Sequence, residues 1–416
     1  MSERLLRHLA RALQRSPPQK LGVAVSGGSD SLALLVMLHA LARDQGFALF
    51  AATVDHGLRA ESATEAAEVG DLCRRLEVQH EVLVWKERDG TGNVQNAARQ
   101  ARYGLLGAWA GRHGLDAVAL GHTQDDLAET FMMRLVRQAG VDGLSAMADS
   151  FDRDGARFIR PVLGMTRGDL QTYLTGQGLG WASDPSNVNP KYDRARTRKA
   201  LAILADLGLS ADRIAAVAQN MTDARAALQT QMIDLARAHV SLSAGAVAID
   251  AAGLNGAPIE TRRRLIAHAL GWISGAYYAP RGSALTRTID ILAQIESATL
   301  QGCELRWWRG KLWIYRELNA VAAAQAAPGS LWDGRWRLMR AEARRGEFIV
   351  GPLGAEGLQT CPDWRDLGLP RGVLLASPAV WQADACIAAP LAGRAENWQA
   401  RLERGEDEFF AAHMTH

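Results

Sequence analysis

Cysteine is scarce in this chain: there are four in 416 residues, and Cys73, Cys303, Cys361 and Cys386 stand far apart. No two share the short spacing that holds zinc, an iron-sulfur cluster or a redox disulfide, so thiolate-metal chemistry is disfavoured and a reducing, cytoplasmic setting is expected. Long apolar runs are missing as well. The longest, from Leu32 to Ala42, is interrupted by His39 and falls short of the roughly 20 residues that cross a bilayer, so no membrane association is expected. Lysine is nearly as rare as cysteine, since only five of the 47 basic residues are lysine and the rest are arginine. None of the five closes a Gly-x4-Gly-Lys-Ser/Thr loop, which argues against terminal phosphoryl transfer. Neither sign of charge dominates: 47 basic residues face 45 acidic ones, for a formal net charge of +2. Arginine forks suit phosphate and carboxylate, although a base-composition bias in the genome produces the same enrichment.

What is present is ample core material. The chain is 48% hydrophobic and 22% charged, as in a soluble globular protein, and its length suggests two or three domains. The opening segment SERLLRHLARALQRS is amphipathic, with Leu5, Leu6, Leu9 and Leu13 on one helical face. A strand follows soon after Pro17 and Pro18, so the segment reads as a packed first helix and not as a transit peptide. Strand and helix then alternate. LGVAV leads to a helix from Ser29 to Arg43, FALFAATVDHG to one from Ala63 to Leu76, HEVLVW to one around Val94 to His113, and DAVALGH to one from Asp125 to Arg137. This alternation predicts an α/β fold with a doubly wound parallel sheet, helices on both faces and ligands at the carboxyl ends of the strands.

The loops at those ends carry the chemistry. After LGVAV comes SGGSDS, Ser26 to Ser31. Gly27 and Gly28 allow the backbone close to an anion, and the N–H groups that open the next helix point at it with the positive end of the dipole. Ser26, Ser29 and Ser31 add hydroxyl donors. Asp30 accepts only, so its natural partner is a divalent cation held between protein and polyphosphate. The loop therefore reads as a metal-nucleotide site, against the plainer reading of a Gly-Ser turn. Beside it VDHGLRAES brings Asp55, His56 and Arg59, of which His56 is equally suited to a structural turn. In GHTQDDLAET, Thr123 and Asp126 have capping-box spacing. His122 and Asp126 also share a face at i and i+4, and Glu129 lies near Asp125 and Asp126. Converging carboxylates suit a metal ion or the amine of a cationic substrate.

Further along, DPSNVNPKYDRARTRK ends in Arg194, Arg196, Arg198 and Lys199. In an extended strand the alternating arginines would share one face and clamp an RNA backbone or a triphosphate, whereas in a helix they would fan out. From Ala215 to His239 and from Gly271 to Leu292 the pattern is helical. CELRWWRGKLWIYRE interleaves Arg306, Arg309, Lys311 and Arg316 with Trp307, Trp308 and Trp313, which fits either base stacking or buried strand tryptophans. Beyond about Leu331, glycine, proline and short apolar runs predict a small β-containing domain.

Taken in order, SGGSDS, VDHGLR, GHTQDDLAET, GVDGLSAM, RPVLGMTRGDL and WASDPSNVNPKYDRARTR resemble the tRNA(Ile)-lysidine synthase family, within the N-type ATP pyrophosphatases that carry a PP-loop. The resemblance implies ligation of free lysine to the wobble cytidine of the isoleucine tRNA with anticodon CAU, through an adenylated cytidine, with ATP split to AMP and pyrophosphate. It implies ATP and Mg2+ as the only cofactors, with no flavin, zinc or iron-sulfur cluster, and no obligatory protein partner. It puts Ser26, Gly27, Gly28, Ser29, Asp30, Ser31, Val54 and His56 at ATP, with Asp30 on the metal, and Asp126 and Glu129 at lysine. Asp30, Asp126 and His122 share the catalytic role, and any of the three stands open as the base. Arg59, Arg102, Arg194, Arg196, Arg198, Arg306 and Lys311 are expected at tRNA. The implied domains are a catalytic one over 1–215, a largely helical tRNA-binding one over 216–325, and a small α+β one over 326–416. Two departures stand out: Ala195 replaces the family's asparagine between two arginines, and Gln138-Ala139 replaces Gly-Ser. A thiolase of the same superfamily would need a Cys-x-x-Cys pair, and none occurs.

Overall fold

In the computed structural model, residues 2–14, 16–57, 62–86, 94–182, 193–276, 278–340 and 346–411 are described. The chain divides into two compact units, Met1–Arg225 and Ala226–His413.

The first unit opens with α1 (Ser2–Gln14), whose i, i+4, i+8 leucines Leu5, Leu9 and Leu13 are buried. Then follow β1 (Lys20–Ala24), α2 (Ser29–Gln45), β2 (Ala48–Asp55), α3 (Ser62–Arg75), β3 (Gln79–Val84), α4 (Val94–His113) and β4 (Ala117–Leu120). After these come α5 (Gln124–Val136), α6 (Val141–Leu144), β5 (Ser150–Arg153), β6 (Ala156–Ile159), α7 (Arg167–Gly176), α8 (Asp193–Asp206) and α9 (Ala211–His239), within which the unit ends. One six-stranded sheet runs β3-β2-β1-β4-β6-β5. All its pairings are parallel except that of β5 with β6.

Alternation along the strands splits the core into two layers. Leu21, Val23 and Val25 of β1 and its exit, with Ala117 and Ala119 of β4, pack beneath α1, α2, α3 and α7. Ala24, Val118 and Leu120 face the other way, against Tyr103, Leu106, Trp109 and Ala110 of α4. α2 is buried from Leu32 through Leu38, which is why its sequence is apolar all round instead of striped. The chain leaves β1 toward β2 on one side, and β4 lies on the other. The loops after β1 and β4 thus open a crevice where the strand order reverses.

In the second unit, helices α10 (Ala251–Gly256), α11 (Ile259–Ser274) and α12 (Gly282–Leu292) accompany strands β7 (Val240–Ser243), β8 (Ala246–Asp250), β9 (Ser297–Leu300), β10 (Cys303–Trp308) and β11 (Lys311–Arg316). The strands form an antiparallel sheet in the order β7-β8-β11-β10-β9. β11 alternates cleanly. Leu312 and Ile314 pack toward α11 and α12, and Trp313 and Tyr315 pack on the opposite face against Leu353, Leu358, Val373 and Leu374. Two small antiparallel sheets complete the unit. β12 (Trp336–Arg340) pairs with β16 (Trp398–Leu402), and β14 (Pro378–Gln382) lies between β13 (Ile349–Pro352) and β15 (Ala385–Ala388).

Candidate active site

The loop after β1 is held open as an anion cradle. Gly27 adopts φ +84, in the left-handed region where a side chain is strained. Gly28 is the N-cap of α2 and offers no side chain to the free N–H groups of the first turn, which leaves those donors for a ligand. The serines fix the loop. Ser26 N donates to Ser31 Oγ at 3.1 Å, and Ser31 Oγ donates to Gly28 O at 3.1 Å. Ser29 Oγ donates to Asp30 Oδ1 at 2.9 Å. Ser29 and Ser31 are thereby buried within the turn, so they shape the cradle, and Ser26 Oγ lies 3.2 Å from Ser31 Oγ.

The loop after β4 closes on the same spot. A Cβ on Gly121 would stand 3.0 Å from both Cα and N of Ser31, so any other residue would push the two backbones apart. Thr123 then caps α5 in a full capping box with Asp126. Asp126 Oδ2 accepts from Thr123 N at 2.9 Å and from Thr123 Oγ1 at 3.1 Å. Its other oxygen, Oδ1, faces cations instead. The capping and functional readings of this residue are thus both satisfied, one oxygen each.

Those cations are arginines. Arg167, the first residue of α7, donates from Nε to Asp30 Oδ2 at 3.0 Å. Its Nη1 reaches Glu129 Oε1 and its Nη2 reaches Asp126 Oδ1, each at 3.5 Å. Its backbone N–H donates to Asp125 Oδ2 at 2.7 Å. From α8, Arg194 places Nε 2.8 Å from Glu129 Oε2 and Nη2 3.1 Å from Asp126 Oδ1. Arg198 also donates to both oxygens of Glu129. Glu129 is only 1% exposed, and such burial of a carboxylate requires charge-assisted partners.

Electrostatics separate the groups. Burial raises the Asp30 carboxyl above its ordinary range, against the opposing pull of Arg167 and Ser29. Burial pushes Asp126 the same way, but Arg194, the Thr123 backbone bond, His122 and Arg167 together outweigh it and hold Asp126 low. His122 is driven down to about 3, first by burial and then by Arg102, Arg160 and Arg194, with Asp126 opposing. It is therefore neutral at pH 7, and its Nδ1 is buried without a hydrogen-bond partner among the described residues. His56 is also lowered, by burial and then by Arg102, against Asp55. It stands edge-on to Trp85 with ring centroids 6.0 Å apart, and Val54 is half-buried at the end of β2.

Not every candidate converges. Arg102 is half-buried on α4, and its charge bears on both histidines. The 193–199 segment is helical, so its arginines fan out: Arg194, itself 43% exposed, and Arg198 reach the acids of α5, while Arg196 pairs with Asp193. Ala195 is buried at 4%. Gln138 takes a left-handed φ of +57, and Gly140 caps α6. In the second unit, Arg306 pairs with Glu304 at 2.8 Å, Lys311 with Asp250 at 3.2 Å, and Trp313 is buried. Arg59 lies outside the described residues. Arg167 was assigned no role from the sequence. The available signal was Thr166-x-x-Asp169, a second capping box that fixes Arg167 at a helix start.

Comparison with known proteins matches residues 1–204 to a PP-loop domain family. The tRNA(Ile)-lysidine synthase of Ruegeria pomeroyi is 45% identical over 412 residues, covering 99% of this chain and 98% of that protein. The chain belongs to the tRNA(Ile)-lysidine synthase family. Another member, from Zymomonas mobilis, is 38% identical over 74% of this chain and 92% of its own length. Among solved structures, the U34-tRNA thiolase NcsA of Methanococcus maripaludis aligns with 18% identity and a TM-score of 0.46, over 53% of this chain and 79% of that one. The lysidine synthase family uses ATP, usually with Mg2+, and the cradle fits both. Its free helix-end donors suit phosphate. The Asp30 carboxylate beside them is the kind of ligand that magnesium takes together with substrate phosphates. None of the described helices is long and apolar enough to cross a membrane.

Proposed function

We propose that this chain ligates free lysine to C2 of the wobble cytidine in the CAU isoleucine tRNA, with the reaction centred between Asp30 and the Asp126–Glu129 pair. The observation that carries the reading is the meeting of a phosphate cradle after β1 with a buried acid pair after β4, bridged by one guanidinium. A cradle alone suits any nucleotide, and an acid pair alone suits any cation. Their contact suits an amine delivered to a nucleotide-activated atom.

In this reading the first-turn N–H groups of α2 hold the β and γ phosphates, and Asp30 carries the magnesium, which neutralises phosphate charge. The cytosine O2 attacks the α phosphorus and pyrophosphate departs. The lysine ε-ammonium gives a proton to one of Asp30, Asp126 or His122 and the free amine attacks C2; the C2–O bond breaks and AMP leaves. Asp126 and Glu129 hold the ammonium groups, and Val54 and His56 flank the nucleotide. The lowered proton affinities of Asp126 and His122 suit groups that orient the amine more than groups that keep its proton. Arg102 and Arg196 are proposed for tRNA, as are Arg194 and Arg198 beside their contacts with the acid pair, and Arg59, Arg306 and Lys311, with the regions 216–325 and 326–416 as tRNA-binding parts.

The test is purified protein with ATP, magnesium, labelled lysine and tRNA transcripts differing at the wobble base. Lysine is expected only in the CAU isoleucine transcript, with AMP and pyrophosphate formed in equal amounts. Release of ADP and orthophosphate, or lysine entry that ignores the wobble base, would overturn the reading.

A further inference from the structure

We propose that Arg167 is a positioning residue that couples the two halves of the site, so that the acid pair accepts an amine only when a magnesium-nucleotide has taken over Asp30. The proposal rests on the reading of Asp30 as the nucleotide side and of Asp126 with Glu129 as the amine side.

Charge balance gives the reason. Asp30, Asp126 and Glu129 meet the guanidiniums of Arg167, Arg194 and Arg198, so the formal charges of the cluster cancel. Within these three pairs a further cation has no uncompensated carboxylate to meet, and the neighbouring Asp125 spends Oδ2 on the Arg167 backbone N–H. Free lysine, with two ammonium groups and one carboxylate, has a net charge of about +1 at neutral pH. It can enter without a charge penalty by replacing one guanidinium, leaving the others to face its carboxylate.

Geometry selects which one leaves. Arg167 holds its shortest side-chain bond, 3.0 Å, to Asp30, and only long contacts of 3.5 Å to Glu129 and Asp126. Its fork is planar and rigid, so it cannot serve all three acids independently. Once Asp30 is engaged by magnesium, the guanidinium loses its closest partner and gains a triphosphate as an alternative. Its departure bares the edges of Glu129 Oε1 and Asp126 Oδ1 that it covered, while Arg194 and Arg198 stay on the pair and the negative charge of the bound magnesium-nucleotide offsets the entering cation. The backbone does not need to move, because Arg167 N–H is tied to Asp125 and α7 is capped by Thr166 with Asp169. Arg194 and Arg198, from α8, make closer bonds to the acid pair and none to Asp30, so they do not report on the nucleotide. Coupling of this kind is reciprocal: lysine must tighten the nucleotide by the same factor that the nucleotide tightens lysine.

The experiment is calorimetric titration of the full chain with lysine, in magnesium alone and with magnesium plus an ATP analogue methylene-bridged between the α and β phosphates. Wild type is expected to bind lysine about tenfold more tightly when the analogue is present. In Arg167→Gln the ratio should approach one, with lysine binding already improved in magnesium alone. Arg167→Lys keeps the charge and the fold but loses the fork, and should give an intermediate ratio. An unchanged ratio in Arg167→Lys would overturn the fork argument, and an unchanged ratio in Arg167→Gln would overturn the proposal outright. Glu129→Gln separates this failure from failure of the underlying reading. If lysine binds Glu129→Gln as it binds wild type, the amine-side reading falls, and the coupling falls with it.

Discussion

Arginine gathers in two places in this protein, and the two differ in where its carboxylate partners come from. In the first unit Arg167, Arg194 and Arg198 start from α7 and α8 and converge on acids from α2 and α5, up to 137 residues away. In the second unit the paired cations on the sheet each take a carboxylate of their own: Arg306 uses Glu304 two residues back, Lys311 uses Asp250 across the strand pair, and Arg316 grips Asp333 with two bonds. The same residue types therefore build a charge cluster in one unit and local ion pairs in the other. Local pairs fasten a sheet. A convergent cluster of buried acids, each sharing its cations with another, costs too much desolvation to be a fastening and reads as a site.

The sharpest way to break the contrast is Asp30→Asn, which preserves shape and removes the charge proposed to hold the metal. Pyrophosphate exchange into ATP in the presence of tRNA should fall about a thousandfold. Near-normal exchange would place the convergent cluster on a par with the fastening pairs. Trp313→Ala probes the other side. It empties a buried position between β11 and the packing around Leu353 and Leu374, so unfolding by denaturant should show a loss of about 3–5 kcal/mol.

Acid titration sharpens the comparison next. His122 is neutral in the fold because burial and the surrounding arginines outweigh Asp126, and its folded value of about 3 lies far below the ordinary 6.5. Between those values the unfolded chain binds a proton that the folded chain does not, so stability falls as pH falls below 6.5. From pH 7.5 to pH 5 the loss from this group is about 2 kcal/mol. His122→Asn should flatten the denaturation midpoint over that range by this share alone. His268 of the second unit, lowered by burial against its bond to Phe409 O, has the same sign and keeps its own slope. Smallest of all, Lys311→Ala should change stability by only about 0–1 kcal/mol, and less still in high salt.

The α/β order of the first unit was legible because each parallel strand there is a short, nearly continuous apolar run and each helix is bounded by turn residues. The same holds for the loops: SGGSDS and GHTQDDLAET carry their chemistry in adjacent residues. Thr123 and Asp126 could be read as a cap or as a site, and three residues of spacing could not show that one carboxylate has an oxygen for each. The arginines after residue 193 were ambiguous because alternate positions share a face in a strand, whereas in a helix the i, i+4 pair does. Helix formation sent Arg194 and Arg198 to the acids of α5 and Arg196 to Asp193. Strands β7 and β8 were obscured because SLSAGAVAID is poor in bulky and β-branched residues, and its alanines fit the sheet only where Trp313 and Tyr315 fill the space beside them.

Sequence by itself determined the parallel strand order's raw material, the glycine cradle and the presence of three acids suited to cations, since each is a property of near neighbours in the chain. Tertiary structure alone decided that Arg167 touches all three acids. A salt link across 137 residues depends on where α7 docks against α2, and the buried leucines of both helices make that docking. Charges carry no address in a sequence; packing supplies it.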